Sequence, residues 1–156
     1  MDIEQAELHF KKVDKTLHKV LLKHKHELAP RTALRTNQQL FEALCESVVS
    51  QQLAVKAADA IWARVVKVCG GKVTPEKIRT IPLARLRTCG LSNAKAKTLK
   101  AVAKEMKNGL SLTSLRKKTP EEAQEALTKI WGVGPWTCEM FLMFALSHPD
   151  IFSSRD

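Results

Sequence analysis

The chain has 156 residues, 44% of them apolar, and 26 basic against 16 acidic side chains give a formal net charge of +10. That length and apolar content exclude a disordered chain, because one domain's worth of core can be buried. The basic excess calls for an anionic partner, of which nucleic acid is the commonest soluble example. In chain order, Ile3, Ala6, Phe10, Val13, Leu17, Val20, Leu21 and Leu28 recur at three- and four-residue steps, which predicts one long amphipathic helix ended by Pro30. His18, His24 and His26 lie near its end without forming a ligand set, since residues two apart on a helix point to different sides. A second helix is expected from Thr36, whose hydroxyl pairs with Gln39 in a capping-box pattern, carrying Leu40, Phe41, Leu44 and Val48. A third is expected from about Leu53 to Val68, stopped by Gly70-Gly71.

Thr74-Pro75 opens a short helix, and another spans roughly Leu83 to Thr88. Gly90-Leu91-Ser92 then makes a turn, with Ser92 capping a helix from Asn93 to about Lys107, so that Cys89 to Lys97 reads as a weak helix-turn-helix. Thr119-Pro120-Glu121-Glu122 is the clearest capping box, and it starts the first helix of a hairpin spanning about residues 120–147. No segment alternates with a two-residue period, so the fold class is all-α, one domain over residues 1–156. Cys45, Cys69, Cys89 and Cys138 show no C-x-x-C spacing and no nearby histidines. Zinc and an iron–sulfur cluster are therefore not expected, and buried free thiols in a reducing compartment are. No signal-peptide pattern opens the chain and no apolar run is long enough to span a bilayer. An intracellular monomer with no membrane partner is the expectation, in the cytoplasm of a bacterium or the nucleus of a eukaryote.

Residues 130–145, IWGVGPWTCEMFLMFA, carry the most chemistry. A helix runs into Gly132-Val133-Gly134 and a second, apolar helix leaves it. The two glycines are expected to supply unusual backbone angles and to keep side chains away from the amides that open the second helix. Such amides, with the positive end of the helix dipole, suit an anion such as phosphate.

Leu127, Ile130, Gly132, Val133, Gly134, Trp136 and Thr137 resemble the helix-hairpin-helix of the HhH-GPD DNA glycosylase superfamily. The 3-methyladenine DNA glycosylase II (AlkA/Mag-type) group is the branch it most resembles. Val49-Ser50-Gln51-Gln52-Leu53 is similar to that group's SQQL signature, and residues 150–156, DIFSSRD, resemble the segment leading to its catalytic aspartate. The resemblance covers roughly residues 35–156. It implies an HhH-GPD helical fold, and because relatives continue for several helices past this aspartate, a C-terminally truncated one.

The resemblance also implies a function. An enzyme acting on a base inside duplex DNA must first extrude it, at a cost of a few kcal/mol. The hairpin amides around Gly132, Val133, Gly134, Trp136 and Thr137 would hold one phosphate, with Lys95 and Lys97 as second anchors or simply solvated lysines. A structural K+ or Na+ would sit on the backbone carbonyls of Thr128, Ile130 and Val133. Gln52 would wedge into the space the base leaves, supported by Leu53. Ala54 stands where some relatives carry a DNA-contacting histidine. Trp136 would stack on a cationic alkylated base, with Phe41 and Phe144 as weaker pocket candidates that read more readily as core, while Trp62 and Trp131 read as packing. Bifunctional members place a nucleophilic lysine where this chain has Trp136, so a monofunctional, water-using enzyme is implied. Asp156 would stabilise the oxocarbenium-like sugar. Asp150 reads as a turn or cap residue. The expected partner is double-stranded DNA with an alkylated base or abasic site, and the alternative reading is a non-catalytic binder of abasic or distorted DNA.

Overall fold

The computed structural model describes residues 3–27, 36–148, 151 and 153. Every regular element among them is helical. None of these helices is long and apolar enough to cross a membrane. The chain forms two compact units, residues 1–34 and 35–156.

The first unit holds α1 (Ile3–Val13) and α2 (Lys15–His24), followed by a 3-10 turn, Lys25–Glu27. One continuous helix was expected here. Asp14 breaks it: the residue adopts an extended conformation, φ −149° and ψ 98°, and its carboxylate accepts the N–H groups of Thr16 and Leu17 at 2.9 Å. A short acidic side chain that satisfies two orphan amides competes with the helix ladder. The apolar spacing runs straight through the break, so periodicity alone cannot reveal it. Pro30, the expected terminator, lies outside the described residues.

The second unit is built around α3 (Asn37–Ser50). Thr36 caps it reciprocally with Gln39, as the sequence predicts. Leu40, Phe41, Leu44, Cys45, Val48 and Val49 form one stripe with no exposed surface. Each large side chain so buried contributes about 1.5–3 kcal/mol relative to exposure. Around this stripe pack α4 (Val55–Val68), α7 (Asn93–Lys107), α9 (Pro135–Met140) and a π-helical turn, Phe141–Ala145. Helices α5 (Pro75–Thr80) and α6 (Leu83–Arg87) lie against α7, and α8 (Pro120–Thr128) against α9. Thr74, Ser92 and Thr119 each accept the predicted N3 amide, so the local capping signals set these boundaries. The 3-10 turn Thr113–Lys117 and the π turn carry no such signal. All four cysteines are free and buried.

Candidate functional site

Helix α3 ends in a turn that the sequence does not announce. Gln51 leaves the helix at φ −47°, ψ 128°, and the next residue, Gln52, has φ +53°. The Leu53 amide donates to the Ser50 carbonyl at 3.2 Å, closing a four-residue turn. This is type II-like geometry, whose third position ordinarily calls for glycine or asparagine. A glutamine held there costs about 1–2 kcal/mol. Residues 51–54 are thus a turn rather than the start of the third helix, which begins at Val55. Gln52 and Leu53 are exposed at its tip.

Two contacts brace this turn. Lys95, in the first turn of α7, donates from Nζ to the carbonyls of Val49 at 2.8 Å and Gln51 at 2.7 Å. These carbonyls stand at the C-terminal end of α3, where the backbone has unpaired acceptors and the dipole is negative. The side-chain amide of Gln51 donates to Thr137 Oγ1 at 2.5 Å, tying the turn to α9. Partial burial lowers the Lys95 pKa from its ordinary value.

The hairpin closes over Ile130, Trp131, Gly132 and Val133, with the Val133 amide donating to the Ile130 carbonyl at 3.0 Å. Its two glycines differ in purpose. Gly132 has φ +81°, and a Cβ built there would stand 1.9 Å from Thr98 Oγ1 of α7, so both backbone angle and packing demand glycine. Gly134 has φ −90° and ψ 171°, an extended conformation open to any residue, and a Cβ there would meet nothing within 4 Å. The expectation of unusual angles at both glycines is corrected accordingly; only Gly134 leaves space at the helix start. No side chain caps α9, and Pro135 at its first position has no N–H to satisfy.

The turn and the hairpin face one another across a cleft of about 580 Å³, lined by Gln51, Gln52, Gly132, Gly134, Pro135, Trp136 and Thr137. Segments some 80 residues apart in sequence therefore form one surface. Trp136 is half-buried on its wall. Thr137 is 1% exposed and its hydroxyl is occupied by Gln51, which gives it a bracing place. Gln51 was not singled out in the sequence, although it belongs to the same Gln-Gln pair.

Other expected residues lie elsewhere. Phe41 is wholly buried in the α3 core stripe, so it is a packing residue and not a pocket wall. Phe144 is 48% exposed in the π turn and is absent from the cleft lining. Trp62 packs on the core, but Trp131, expected to pack, is 55% exposed at the hairpin tip. Lys97 is exposed on α7, while the Lys95 ammonium is bonded to carbonyls. Thr128 is exposed at the end of α8, and the side chains of Ile130 and Val133 are buried. Asp150 and Asp156 lie outside the described residues.

Comparison with known proteins adds to this geometry. A family model described as HhH-GPD superfamily base excision DNA repair protein matches residues 45–120. That span holds the braced turn and α7 but ends before the hairpin. DNA-3-methyladenine glycosylase 1 of Schizosaccharomyces pombe is 35% identical over 158 residues, covering 99% of this chain and 68% of that protein. The solved structure of the S. pombe 3-methyladenine DNA glycosylase in complex with abasic DNA superposes with a TM-score of 0.78 at 32% identity, over 97% of this chain and 75% of that one. A DNA-3-methyladenine glycosidase from Bacillus halodurans gives a TM-score of 0.71 at 37% identity, over 80% of this chain and 58% of that one. This chain therefore spans between about half and three quarters of the length of these relatives.

Proposed function

The chain belongs to the HhH-GPD superfamily of base excision DNA repair proteins, and from that premise we propose that it serves a monofunctional glycosylase that hydrolyses alkylated purines out of duplex DNA. The observation that carries this reading is the shared cleft. A strained, exposed Gln52, an uncapped helix start at Gly134 and Trp136 line it together. The amides opening α9 suit a backbone phosphate and read no sequence. Gln52 suits the space left by an extruded base, and Leu53 lies beside it.

Trp136 offers a ring face to the extruded base, worth about 1–3 kcal/mol per stack and favouring a cationic one. Purines methylated at N3 or N7 carry that charge, which makes 3-methyladenine and 7-methylguanine the proposed substrates. The base leaves with the electron pair of the C1′–N bond and becomes neutral. Water adds to C1′ and loses a proton, leaving an intact abasic site. Asp156 is the proposed carboxylate that stabilises the cationic sugar. No amine is required for this route, and the Lys95 ammonium is engaged by two backbone carbonyls. A monovalent cation fits the hairpin chemically: the Ile130 carbonyl accepts one N–H and keeps a second lone pair, and the Thr128 and Val133 carbonyls would complete an oxygen donor set. It would reinforce the phosphate grip, and exchange of K+ for a bulky organic cation would weaken duplex binding.

Release of methylated bases from methylated duplex DNA, compared with Asp156→Asn, tests the proposal. Release by the native chain alone supports the glycosylase and its carboxylate together. Tight binding to an abasic-site analogue without release favours the second reading, a non-catalytic binder of damaged DNA. Equal affinity for intact and abasic duplexes removes the second reading.

A further inference from the structure

A lysine at the N3 position of a helix is in an unfavourable place. The positive end of the α7 dipole repels it, and a capping box would have glutamate or glutamine there. Ser92 caps α7 through the Lys95 amide, so the Lys95 backbone has a local duty. The side chain turns away from its own helix and spans to the end of α3, where two carbonyls receive it. The two acceptors flank Ser50, and the second belongs to the residue directly before the strained one: Val49 and Gln51 are held, and Gln52 follows at φ +53°. Without the ammonium, two acceptors at the negative end of α3 would lose their partner, and Gln51 would be free to relax its neighbour out of the left-handed region. A basic residue near a DNA-facing cleft invites a role as a phosphate contact. Here two of its three donors are committed inward.

We propose that Lys95 is a positioning residue: by capping the end of α3 it holds Gln52 in the conformation from which that side chain enters the duplex, and it makes no phosphate contact. The inference rests on the reading of Gln52 as the plug. It separates two roles that basic residues play at such clefts, because a brace acts only where the plug is used, whereas a phosphate contact acts on every duplex.

The test uses the native chain, Lys95→Met, Gln52→Ala and the double variant. Affinity is measured for an intact duplex and for the same duplex bearing a tetrahydrofuran abasic analogue, at several salt concentrations. A brace predicts that Lys95→Met lowers the abasic-over-intact ratio roughly tenfold, a coupling typical of residues sharing one network, and adds nothing further to Gln52→Ala. Intact-duplex affinity and its salt dependence stay close to those of the native chain. Equal weakening on both duplexes, with the log–log salt slope reduced in magnitude by about 0.9, identifies a phosphate contact and overturns the inference. Amide hydrogen exchange of the free protein gives an independent arm: Lys95→Met should speed exchange of the Leu53 amide, which closes the turn, and spare that of α8. Unchanged Leu53 exchange overturns the brace even where DNA discrimination is lost. Failure of the native chain to distinguish the two duplexes, with Leu53 exchange still sped by Lys95→Met, instead places the fault with the plug reading.

Discussion

Replacing Gly132 by alanine tests the packing of the hairpin on α7. The new Cβ would stand 1.9 Å from Thr98 Oγ1, 3.0 Å from its Cβ and 3.1 Å from its Cγ2. Rotating Thr98 about χ1 brings no relief, because its carbon atoms are also too near and the residue is only 2% exposed. Forcing such an overlap costs about 1–3 kcal/mol. Alanine at φ +81° adds about 1–2 kcal/mol. The expected loss is therefore roughly 2–5 kcal/mol, or a fall in Tm of roughly 5–15 °C for a chain of this size. Urea unfolding of the native chain, Gly132→Ala, Thr98→Ala and the pair measures it. The pair should be less destabilised than the sum of the single variants, because removing the Thr98 hydroxyl and methyl relieves the overlap but leaves the backbone strain. Stability of Gly132→Ala within about 0.5 kcal/mol of the native chain, or an additive cycle, would refute the close approach.

Gly134→Ala offers the converse. With open space and an extended backbone, it should leave stability unchanged or raise it by about 0.4–1 kcal/mol, while a methyl at the start of α9 weakens duplex binding; calorimetry and a binding titration check the two halves separately. Trp136→Ala should lower the rate of base release by roughly 5- to 150-fold, the equivalent of one lost stack, with little change in affinity for undamaged duplex. Burial pushes the Cys138 thiol from its ordinary value of 9.0 to about 12 and raises the Cys45, Cys69 and Cys89 thiols as well. Native protein at pH 8 should therefore resist thiol reagents until denaturant is added. A thiol pKa raised by folding gives stability that is complete below the unfolded value and lost as pH climbs toward the folded one. Thiol burial accordingly makes unfolding easier from about pH 8.5 upward, which denaturation at pH 7.5 and 9.5 can register.

What could be read in the sequence was local. Thr36, Thr74, Ser92 and Thr119 mark helix starts because a cap is a contact between residues three apart, and all four contacts exist. The hairpin was legible for the same reason. The break at Asp14 was not, since the apolar stripe continues through it. The turn at Gln51-Gln52 was hidden because its sequence lacks the glycine such a turn ordinarily uses, and the residues that hold it, Lys95 and Thr137, are 44 and 86 positions away from Gln51. Phe41 lies in the core, as its place on the apolar helix face suggests, whereas Trp131, which reads as packing, is exposed. Aromatic identity says nothing about exposure, and only the packing of α3 and the tip of the hairpin decide it.

Thr98 and Lys95 lie three residues apart on α7, one against the hairpin glycine and the other against the end of α3. Under the proposed function, phosphate grip and wedge are thereby braced within less than one helical turn of α7, an axial rise of about 4.5 Å. Two tools mounted on a single stiff strut cannot adjust to each other when they meet a duplex. Under the proposed function, the adjustment falls to the DNA, which must bend to satisfy both at once. Sites where pairing or stacking is already weakened bend at lower cost. Discrimination of damage would then begin as a mechanical test of the duplex, before any base reaches Trp136.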